Sequence, residues 1–425
     1  MSLNTLKINI VGETAMFTGR LVIQLFFPIL MLNFWGKELF NLWLYLFAIP
    51  SFFGIFQISI VSPIRNHMVM LLKKKQYDQL NNFYQNTFFF TFFNILIISI
   101  TLFFYLKHNF DNLIISNNLF SIFLVFLVFS LNLINSNSHI ALSYEGSVKK
   151  FYKIELFFDF LINFSIPFSF LIINFEYVFV LVFFLTLIKS FVLFNSINDK
   201  YLTKFVKFKF FKLNYLKKIF KLSLGFNLDI ISNILKGPGM LFALGSTGNL
   251  NIITLFSTSR TLFYYFPIRL IGIIEKTFFL EYVNIINSEN KLLLKYFLKI
   301  IFFTIILFVF FGTFSFFFGL KIYNIWTLNN FILNQKLLML ILADASLITI
   351  GNLLALPLKS INKYNSIAII ELAINLILFA VLFKNNFFSD LIEAYKIIIL
   401  STLLIFFTKL IFAIQFFKIN ANTNK

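Results

Sequence analysis

Long apolar runs, separated by short polar or basic connections, repeat along the whole of this chain. A helix rises about 1.5 Å per residue, so a run of about 20 apolar residues spans the hydrocarbon core of a bilayer, which is about 30 Å thick. We therefore predict an all-α integral membrane protein with about twelve transmembrane helices. Their approximate spans are residues 8–32, 41–64, 87–106, 119–136, 154–173, 177–197, 222–243, 250–274, 297–319, 337–358, 366–383 and 396–417.

Positive charges in the connections predict how these helices are oriented. Lysine and arginine accumulate in the short cytoplasmic loops of membrane proteins. With a cytoplasmic N-terminus, the inside connections carry most of the lysines, including eight between Lys200 and Lys221. The first apolar run lacks a small-residue cleavage site and is expected to remain as a helix. Both termini are therefore predicted to be cytoplasmic, and the outside connections then carry Lys37, Lys107, Lys321, Lys336 and Lys384, with Lys396 at a boundary.

Composition supports this class and excludes several others. Hydrophobic residues make up 59% of the chain and charged residues only 12%, with 67 phenylalanines and a mean hydropathy of +0.87. Cysteine is absent, which excludes disulfides, thiolate metal sites and cysteine nucleophiles. The three histidines are too scattered to form a ligand cluster. We predict no metal site, no catalytic residue and no nucleic-acid partner.

Arginine is rare in this chain and always lies within, or at the end of, an apolar run. Of the 36 lysines and arginines, four are arginines: Arg20, Arg65, Arg260 and Arg269. An arginine at the centre of a membrane helix costs about 2.5 to 3.5 kcal/mol on insertion scales, so it normally faces a bundle interior or a water-filled path. Its guanidinium binds phosphate or carboxylate oxygens in pairs, which a lysine does not. This pattern favours an anion, above all a phosphate, as the substrate.

Arg20 and Arg260 lie near the middle of their predicted spans, and we predict that both bind the substrate. The alternative is an internal salt bridge to Glu13, Asp229 or Asp159 that only holds helices together. The spans also contain acids that either couple transport to an ion or neutralise the cations, and these are Glu13, Asp159, Asp229, Asp344 and Glu371.

Other cations lie nearer the ends of their spans. For Arg65 and Arg269, substrate binding and anchoring at lipid phosphates are equally compatible with the pattern. Lys189, Lys299 and Lys409 are interpreted as anchors at the membrane interface.

Lys236 is followed by Gly237-Pro238-Gly239, a sequence that cannot sustain a regular helix. Irregular backbone at membrane depth is tolerated only where it is packed in protein or lines a cavity. We predict that Lys236 belongs to the cavity cations and that Gly237, Pro238 and Gly239 form a hinge. The alternative is a kink that serves only for packing.

The longest basic connection lies near the middle of the chain and divides it into two sets of six predicted helices. We predict an N-terminal lobe of residues 1–197, a basic cytoplasmic linker of residues 198–221 and a C-terminal lobe of residues 222–425. Similar residues recur in corresponding helices of the two lobes, which favours an internal duplication. The matching sets are Glu13 and Arg20 with Asp229 and Lys236, Pro63-Ile64-Arg65 with Pro267-Ile268-Arg269, and Tyr152, Asp159 and Asn163 with Tyr364, Glu371 and Asn375.

With these features the chain resembles the polysaccharide-lipid flippases of the multidrug/oligosaccharidyl-lipid/polysaccharide superfamily, which have the MATE-like fold. It is most similar to the O-antigen or repeat-unit (Wzx-type) flippases of bacterial envelopes. The resemblance covers essentially the whole chain in length, helix number and basic central loop. Two stretches carry it locally: residues 141–163, which resemble the family's turn into its fifth helix, and residues 241–269, with a Gly-containing turn, a hydroxyl-rich helix and a closing proline.

The resemblance implies two lobes in a V-shaped bundle around a central cationic cavity that opens alternately to the cytoplasm and the periplasm. Arg20 on the first helix and Arg260 on the eighth would line this cavity. The implied substrate is an undecaprenyl-diphosphate-linked oligosaccharide, and the implied location is a bacterial inner membrane. Membrane lipid and the polysaccharide polymerase and glycosyltransferases of the same pathway are expected as partners. No cofactor is expected, and the acids of this chain leave open whether a proton or a sodium gradient drives transport.

We therefore predict a non-enzymatic flippase that moves the lipid-linked oligosaccharide from the cytoplasmic to the periplasmic leaflet. A cation-coupled small-molecule or drug exporter of the same superfamily is the alternative. Such an exporter should need acidic cavity residues more than basic ones, so the excess of cations in mid-membrane argues against it. A polysaccharide polymerase or ligase usually carries catalytic residues in a large periplasmic loop, whereas the outside loops predicted here are short.

Overall fold

The computed structural model is helical in almost every residue that it describes. It describes residues 3–54, 64, 67–68, 71, 74–144, 148–169, 172, 174–197, 207–246, 250–269, 272, 290–360, 364–384 and 390–422. Within these ranges the side chains are described except at residues 3–17, 143–144, 148–149, 222–226, 229, 246, 290–296, 360, 384 and 419–422. No described residue is in a β-strand, so the predicted all-α class is confirmed.

The helices lie at the predicted spans, but several of their ends differ from the predicted ones. The first eight described helices are α1 (Leu3–Phe34), α2 (Gly36–Phe53), α3 (Tyr77–His108), α4 (Leu113–Asn117), α5 (Leu119–Tyr144), α6 (Val148–Ser169), α7 (Phe175–Asn195) and α8 (Leu213–Ile234). They are followed by α9 (Met240–Ser246), α10 (Leu250–Arg260), α11 (Asn290–Trp326), α12 (Gln335–Ser360), α13 (Asn365–Lys384) and α14 (Leu391–Asn422). Two π-helical segments, Leu235–Gly239 and Thr261–Tyr265, continue α8 and α10. Each predicted span overlaps at least one of these helices.

The lengths and composition of the helices show a multi-pass membrane protein. Their outer faces carry large apolar side chains that water would not favour, for example Phe103, Phe310 and Phe317, which are 63%, 71% and 71% exposed. In the described part of the chain, seven helices are long and apolar enough to cross a bilayer. They are Tyr77–His108, Leu119–Leu142, Phe175–Asn195, Phe297–Trp326, Gln335–Lys359, Asn365–Phe383 and Leu391–Lys418.

One glycine forms a turn between two helices, and four prolines lie inside helices, where each removes one backbone hydrogen bond. Gly36 joins α1 to α2 with a φ of 75°, a conformation that glycine adopts without steric cost. Pro28, Pro50, Pro167 and Pro357 lie inside α1, α2, α6 and α12. Membrane helices tolerate such prolines because neighbouring helices and hydroxyl groups satisfy the freed carbonyls.

The chain divides into two compact units. The first comprises Met1–Ile23 and Leu42–Ile234, and the second comprises Gln24–Asn41 and Leu235–Lys425. In the first unit α5 packs against α7, α6 and α3, and in the second α12 packs against α14 and α11. The predicted lobes and linker, with boundaries at residues 197 and 222, stay a prediction. The structural division itself lies within α1, within α2 and at the end of α8.

Reporter fusions test the predicted orientation. The basis is that connections rich in lysine and arginine stay inside. Alkaline phosphatase and green fluorescent protein activities measure the two sides, and a cytoplasmic signal after Asn330 would contradict both the six-plus-six helix count and the duplicated halves. We expect a periplasmic signal after Asn33, Asn112, Asn174, Thr247, Asn330 and Asn386, and a cytoplasmic signal after Tyr77, Lys150, Lys212, Asn287, Asn362 and Asn420.

Candidate functional site

Four charged side chains of the first unit form one ion-pair cluster, which we call the Arg20 cluster. Arg20 on α1 donates from Nε to Asp159 Oδ2 at 2.8 Å and from Nη2 to Glu155 Oε1 at 3.1 Å, both on α6. Lys189 on α7 donates from Nζ to Glu155 Oε1 at 2.9 Å and to Asp159 Oδ1 at 3.3 Å. Two cations thus share two carboxylates, and the four charges cancel.

Helix spacing and close packing explain how these residues meet. Glu155 and Asp159 are four residues apart and therefore lie on one face of α6. A Cβ atom at Gly19 would overlap the side chain of Leu156, so α1 can approach α6 this closely because residue 19 is glycine. Arg20, the next residue on α1, then reaches both carboxylates.

Arg20 is the accessible member of this cluster. Its side chain is 41% exposed, against 13% for Glu155, 16% for Asp159 and 5% for Lys189. Among the described residues, Nη1 of Arg20 has no hydrogen-bond partner. The carboxylates therefore hold Nε and Nη2 and leave Nη1 available to a further acceptor oxygen.

These contacts test the interpretations of individual residues. Of the acids considered as salt-bridge partners for Arg20, the structure shows Asp159, while the side chains of Glu13 and Asp229 lie outside the described residues. Glu155 was not predicted, although its spacing of four residues from Asp159, in a stretch whose intervening residues are all apolar, is a signal that could have identified it. The interpretation of Lys189 as an interface anchor is wrong, because its side chain is buried and paired.

Arg260 in the second unit is buried and stacks on aromatic rings of its own helix and the π-helical segment that continues it. Only 2% of the residue is exposed, and its guanidinium lies over the rings of Tyr264, Phe256 and Tyr265, at 3.9, 5.0 and 5.3 Å from their centroids. Stacking of this kind stabilises a desolvated cation. Nη1 donates to the carbonyl oxygen of Lys236 at 2.7 Å. Nε has no partner among the described residues.

Lys236 lies in the first π-helical segment and is 7% exposed. Its Nζ donates to Thr402 Oγ1 on α14 at 3.2 Å. That hydroxyl lies 2.7 Å from Asp344 Oδ1 on α12 and 2.9 Å from the carbonyl oxygen of Ile398, so its single proton goes to one of the two. The second carboxylate oxygen of Asp344 has no partner among the described residues. Lys236 and Asp344 are thus joined through one threonine.

A second buried network in this unit surrounds Glu371 on α13. Lys409 Nζ on α14 forms an ion pair with Glu371 Oε2 at 3.0 Å, with side chains 2% and 10% exposed. Lys409 also donates to Asn352 Oδ1 at 3.0 Å, and the Tyr364 hydroxyl donates to Glu371 Oε2 at 2.8 Å. The interpretation of Lys409 as an interface anchor is wrong, because this ammonium is enclosed and paired.

Each of the two units contains an ion pair between an acid and a lysine at corresponding helices, and the lysines were not among the matching residues found in the sequence. Asp159 lies on the fifth predicted helix of its half and pairs with Lys189 on the sixth. Glu371 lies on the corresponding helix of the other half and pairs with Lys409 on the next. An acid and a lysine thus connect the same two helices in each half, which further supports an internal duplication.

The remaining predicted cations are only partly described. Arg269 is half-buried, donates from Nη1 to Gln24 Oε1, and lies 5.9 Å from the ring of Tyr265. Arg65 lies outside the described residues. Within the described ranges, no group of three or more histidine, aspartate or glutamate side chains is placed to hold a metal ion.

Gly237, Pro238 and Gly239 do not form a regular α-helix, as predicted, but the chain stays helical because it switches to π geometry. Such segments are frequent at functional sites. One of the chain boundaries between the two compact units falls at the start of this segment. A Cβ at Gly237 would lie 3.3 Å from the Tyr265 hydroxyl, so substitution there also disturbs the rings around Arg260. The hinge role stays a prediction.

Replacing Gly237, Pro238 and Gly239 together by alanine is expected to straighten this segment and to slow transport without removing substrate binding. The reason is that alternating access needs an element with two arrangements. Cysteines introduced near Asn249 and Gly225 measure the change, since the native chain has no cysteine. Their accessibility should change in opposite directions. Unchanged accessibility together with unchanged transport would reduce the motif to a packing kink.

The fold of this chain is similar to that of solved membrane transporters. No protein-family model and no curated protein matches this sequence. Solved structures match over nearly its whole length. An inward-facing multidrug resistance MATE family transporter of the MOP superfamily is 12% identical with a TM-score of 0.71, covering 100% of this chain and 97% of that one. The lipid II flippase MurJ, in an inward closed conformation, is 15% identical with a TM-score of 0.66, covering 98% and 93%.

A third solved structure concerns the polarity of a binding pocket. It is a MOP superfamily transporter from Pyrococcus furiosus, reported to have a binding pocket of reversed polarity and a suggested different function. It is 11% identical with a TM-score of 0.64, covering 97% of this chain and 95% of that one. Together these similarities confirm the predicted MATE-like architecture. This chain has the transporter fold shared by MATE family proteins of the MOP superfamily and the lipid II flippase MurJ.

Proposed function

We propose that this chain is a flippase in a bacterial inner membrane. It moves an undecaprenyl-diphosphate-linked oligosaccharide, the repeat unit of O-antigen or of another surface polysaccharide, from the cytoplasmic to the periplasmic leaflet by alternating access. Both termini are cytoplasmic in this proposal. The polysaccharide polymerase and glycosyltransferases of the same pathway are its partners. The solved lipid II flippase with this fold supports a lipid-linked substrate.

The observation that carries the proposal is the half-exposed Arg20, whose Nη1 has no partner among the residues that the structure describes. A diphosphate brings negative charge that hydrocarbon cannot stabilise. A guanidinium that two carboxylates already hold in place can stabilise it with little reorganisation. The same carboxylates offset much of the positive charge of Arg20 and Lys189, so the anion binds weakly enough to leave. The polyprenyl tail remains in lipid throughout.

The other predicted cations support the same role in different ways. Arg260 and Lys236 are 2% and 7% exposed, so we propose that they supply positive charge to the substrate path without direct contact while they stay buried. Arg65 and Arg269 are proposed as further contacts for the diphosphate.

The acids are proposed to balance charge and to couple transport to a proton or sodium gradient. Asp159 and Glu371 balance charge through their ion pairs with Lys189 and Lys409. Asp344, whose second oxygen lacks a partner among the described residues, is the candidate for coupling. Glu13 and Asp229 are proposed for either role.

Deletion of the gene followed by lipid analysis of each membrane leaflet tests the proposal. We expect a diphosphate-linked glycan to accumulate on the cytoplasmic side, and we expect a plasmid copy of the wild-type gene to remove it. An impermeant glycan-binding lectin, applied to sealed vesicles of each orientation, reports the leaflet. Increased sensitivity to small toxic cations without any accumulated lipid-linked glycan would favour the drug exporter instead.

A further inference from the structure

Residues 207–221 (KFKFFKLNYLKKIFK), which we call the basic aromatic segment, expose cations and large apolar side chains side by side. Phe208, Leu213 and Phe220 are 86%, 59% and 47% exposed. No acid occurs in the segment. Its six lysines are all exposed: Lys207, Lys209, Lys212, Lys217, Lys218 and Lys221. The cluster described above and the proposed transport use none of these residues.

The backbone of this segment is fixed to α3. Asn86 is fully buried, and its side chain donates to the carbonyl of Phe210 at 2.8 Å and accepts from the amide of Lys212 at 3.0 Å. Gln85 Oε1 accepts from the amide of Lys207 at 3.2 Å. A 3₁₀ turn at Phe208–Phe210 and the start of α8 at Leu213 complete its structure. The segment is therefore an ordered surface, because hydrogen bonds to α3 fix its backbone.

Its contacts on α3 define its depth in the membrane. The first turns of α3 are polar, and the helix becomes apolar after Thr87. The backbone of the segment binds Gln85 and Asn86, at the polar side of this change. The rings of Phe208 and Phe211 pack on Phe89, each 5.3 Å between centroids. The phenylalanines therefore lie on the apolar side of the boundary and the backbone on the polar side.

We propose that the basic aromatic segment is a docking surface for anionic lipids of the membrane in which the protein sits. Phe208, Leu213 and Phe220 insert among the acyl chains, and the lysines bind the phosphates of the headgroups. This combination of aromatic rings and lysines at the interface is how amphipathic segments bind charged membranes. A soluble acidic protein fits less well, because it would leave exposed phenylalanines at the depth of the acyl chains.

Fluorescence quenching tests where Phe208 lies. A single cysteine at this position, F208C, can be labelled with an environment-sensitive fluorophore, because the native chain has no cysteine. We expect lipids with a doxyl group near the headgroup to quench the label in nanodiscs, and aqueous iodide to quench it little. Phe103→Cys in the apolar part of α3 is the control in lipid, and Asp111→Cys, an exposed position after α3, is the control in water. A label at position 208 that behaves like the label at position 111 would overturn the proposal.

Lipid selectivity tests the lysines. Spin-labelled phosphatidylglycerol and phosphatidylcholine report how strongly each lipid associates with the protein. Replacing Lys207, Lys209 and Lys212 by glutamine should lower the preference for phosphatidylglycerol by about fivefold or more, since one lysine near an anionic surface contributes about this factor. A control that removes equal charge from exposed lysines elsewhere, Lys107, Lys321 and Lys336 to glutamine, should leave the preference nearly unchanged. Equal losses in both triple variants, or none in either, would overturn the proposal.

Discussion

Replacement of Arg20 by alanine is expected to lower glycan export by roughly 10- to 100-fold, because one hydrogen bond to a charged group contributes about 1.5 to 3 kcal/mol. Lysine at this position should restore export only in part. Lysine keeps the positive charge but has a single nitrogen. It lacks the planar array of N–H groups with which arginine binds two carboxylates and still presents Nη1 to a phosphate. Export of lipid-linked glycan in a complemented deletion strain measures the effect, with membrane abundance of each variant determined in parallel.

A charge-matched double variant separates substrate binding from helix packing. Arg20→Ala alone leaves Glu155 and Asp159 facing one lysine, which would lower abundance if Arg20 served only to neutralise them. Arg20→Ala combined with Asp159→Asn leaves one cation and one anion. We expect normal abundance and still low export from this double variant. Recovered export would contradict phosphate binding by Arg20 and support the salt-bridge interpretation.

Replacement of Glu371 by alanine is expected to destabilise the protein by about 3 to 5 kcal/mol, because it leaves the enclosed ammonium of Lys409 without its carboxylate. Folded proteins are typically stable by only about 5 to 15 kcal/mol, so this loss is large. The melting temperature in detergent, followed by tryptophan fluorescence, should fall by about 3 to 6 °C.

Two controls accompany the Glu371 variant. Glu371→Leu combined with Lys409→Met removes both charges and should recover most of the lost melting temperature, because an apolar pair needs no desolvation. Glu393→Ala removes the partner of Lys396 from an exposed pair and should change the melting temperature little. If Glu371→Ala melts like the wild-type protein, the Glu371–Lys409 pair does not support the fold.

The helices could be predicted because membrane insertion depends on local composition. A run of about 20 apolar residues has no stable alternative in a bilayer, since each backbone amide must be satisfied within the helix. This is why the predicted span at residues 119–136 corresponds to α5 and the span at residues 337–358 corresponds to α12. The ends were less predictable. α8 begins at Leu213, inside the predicted linker, because Asn86 and Gln85 of α3 hold the preceding segment.

Partners of buried charges could not be predicted in the same way. In sequence, Lys189 and Lys409 cannot be distinguished from lysines that anchor helices at the membrane interface, since each follows an apolar run. Their burial depends on Glu155, Asp159 and Glu371 on another helix facing them, which requires the register between helices. The approach of α1 to α6 at Gly19 depends on packing in the same way.

The sequence by itself determined that this protein is a helical membrane protein with rare arginines inside its apolar runs, because both properties follow from which side chains water and lipid accept. Only the tertiary structure decided what those arginines do locally. It placed two carboxylates against Arg20, whose Nη1 has no partner in the described part of the chain, and it enclosed Arg260 among aromatic rings. The physical reason is that a charge in hydrocarbon must find a partner, and helix packing alone determines which partner is within reach.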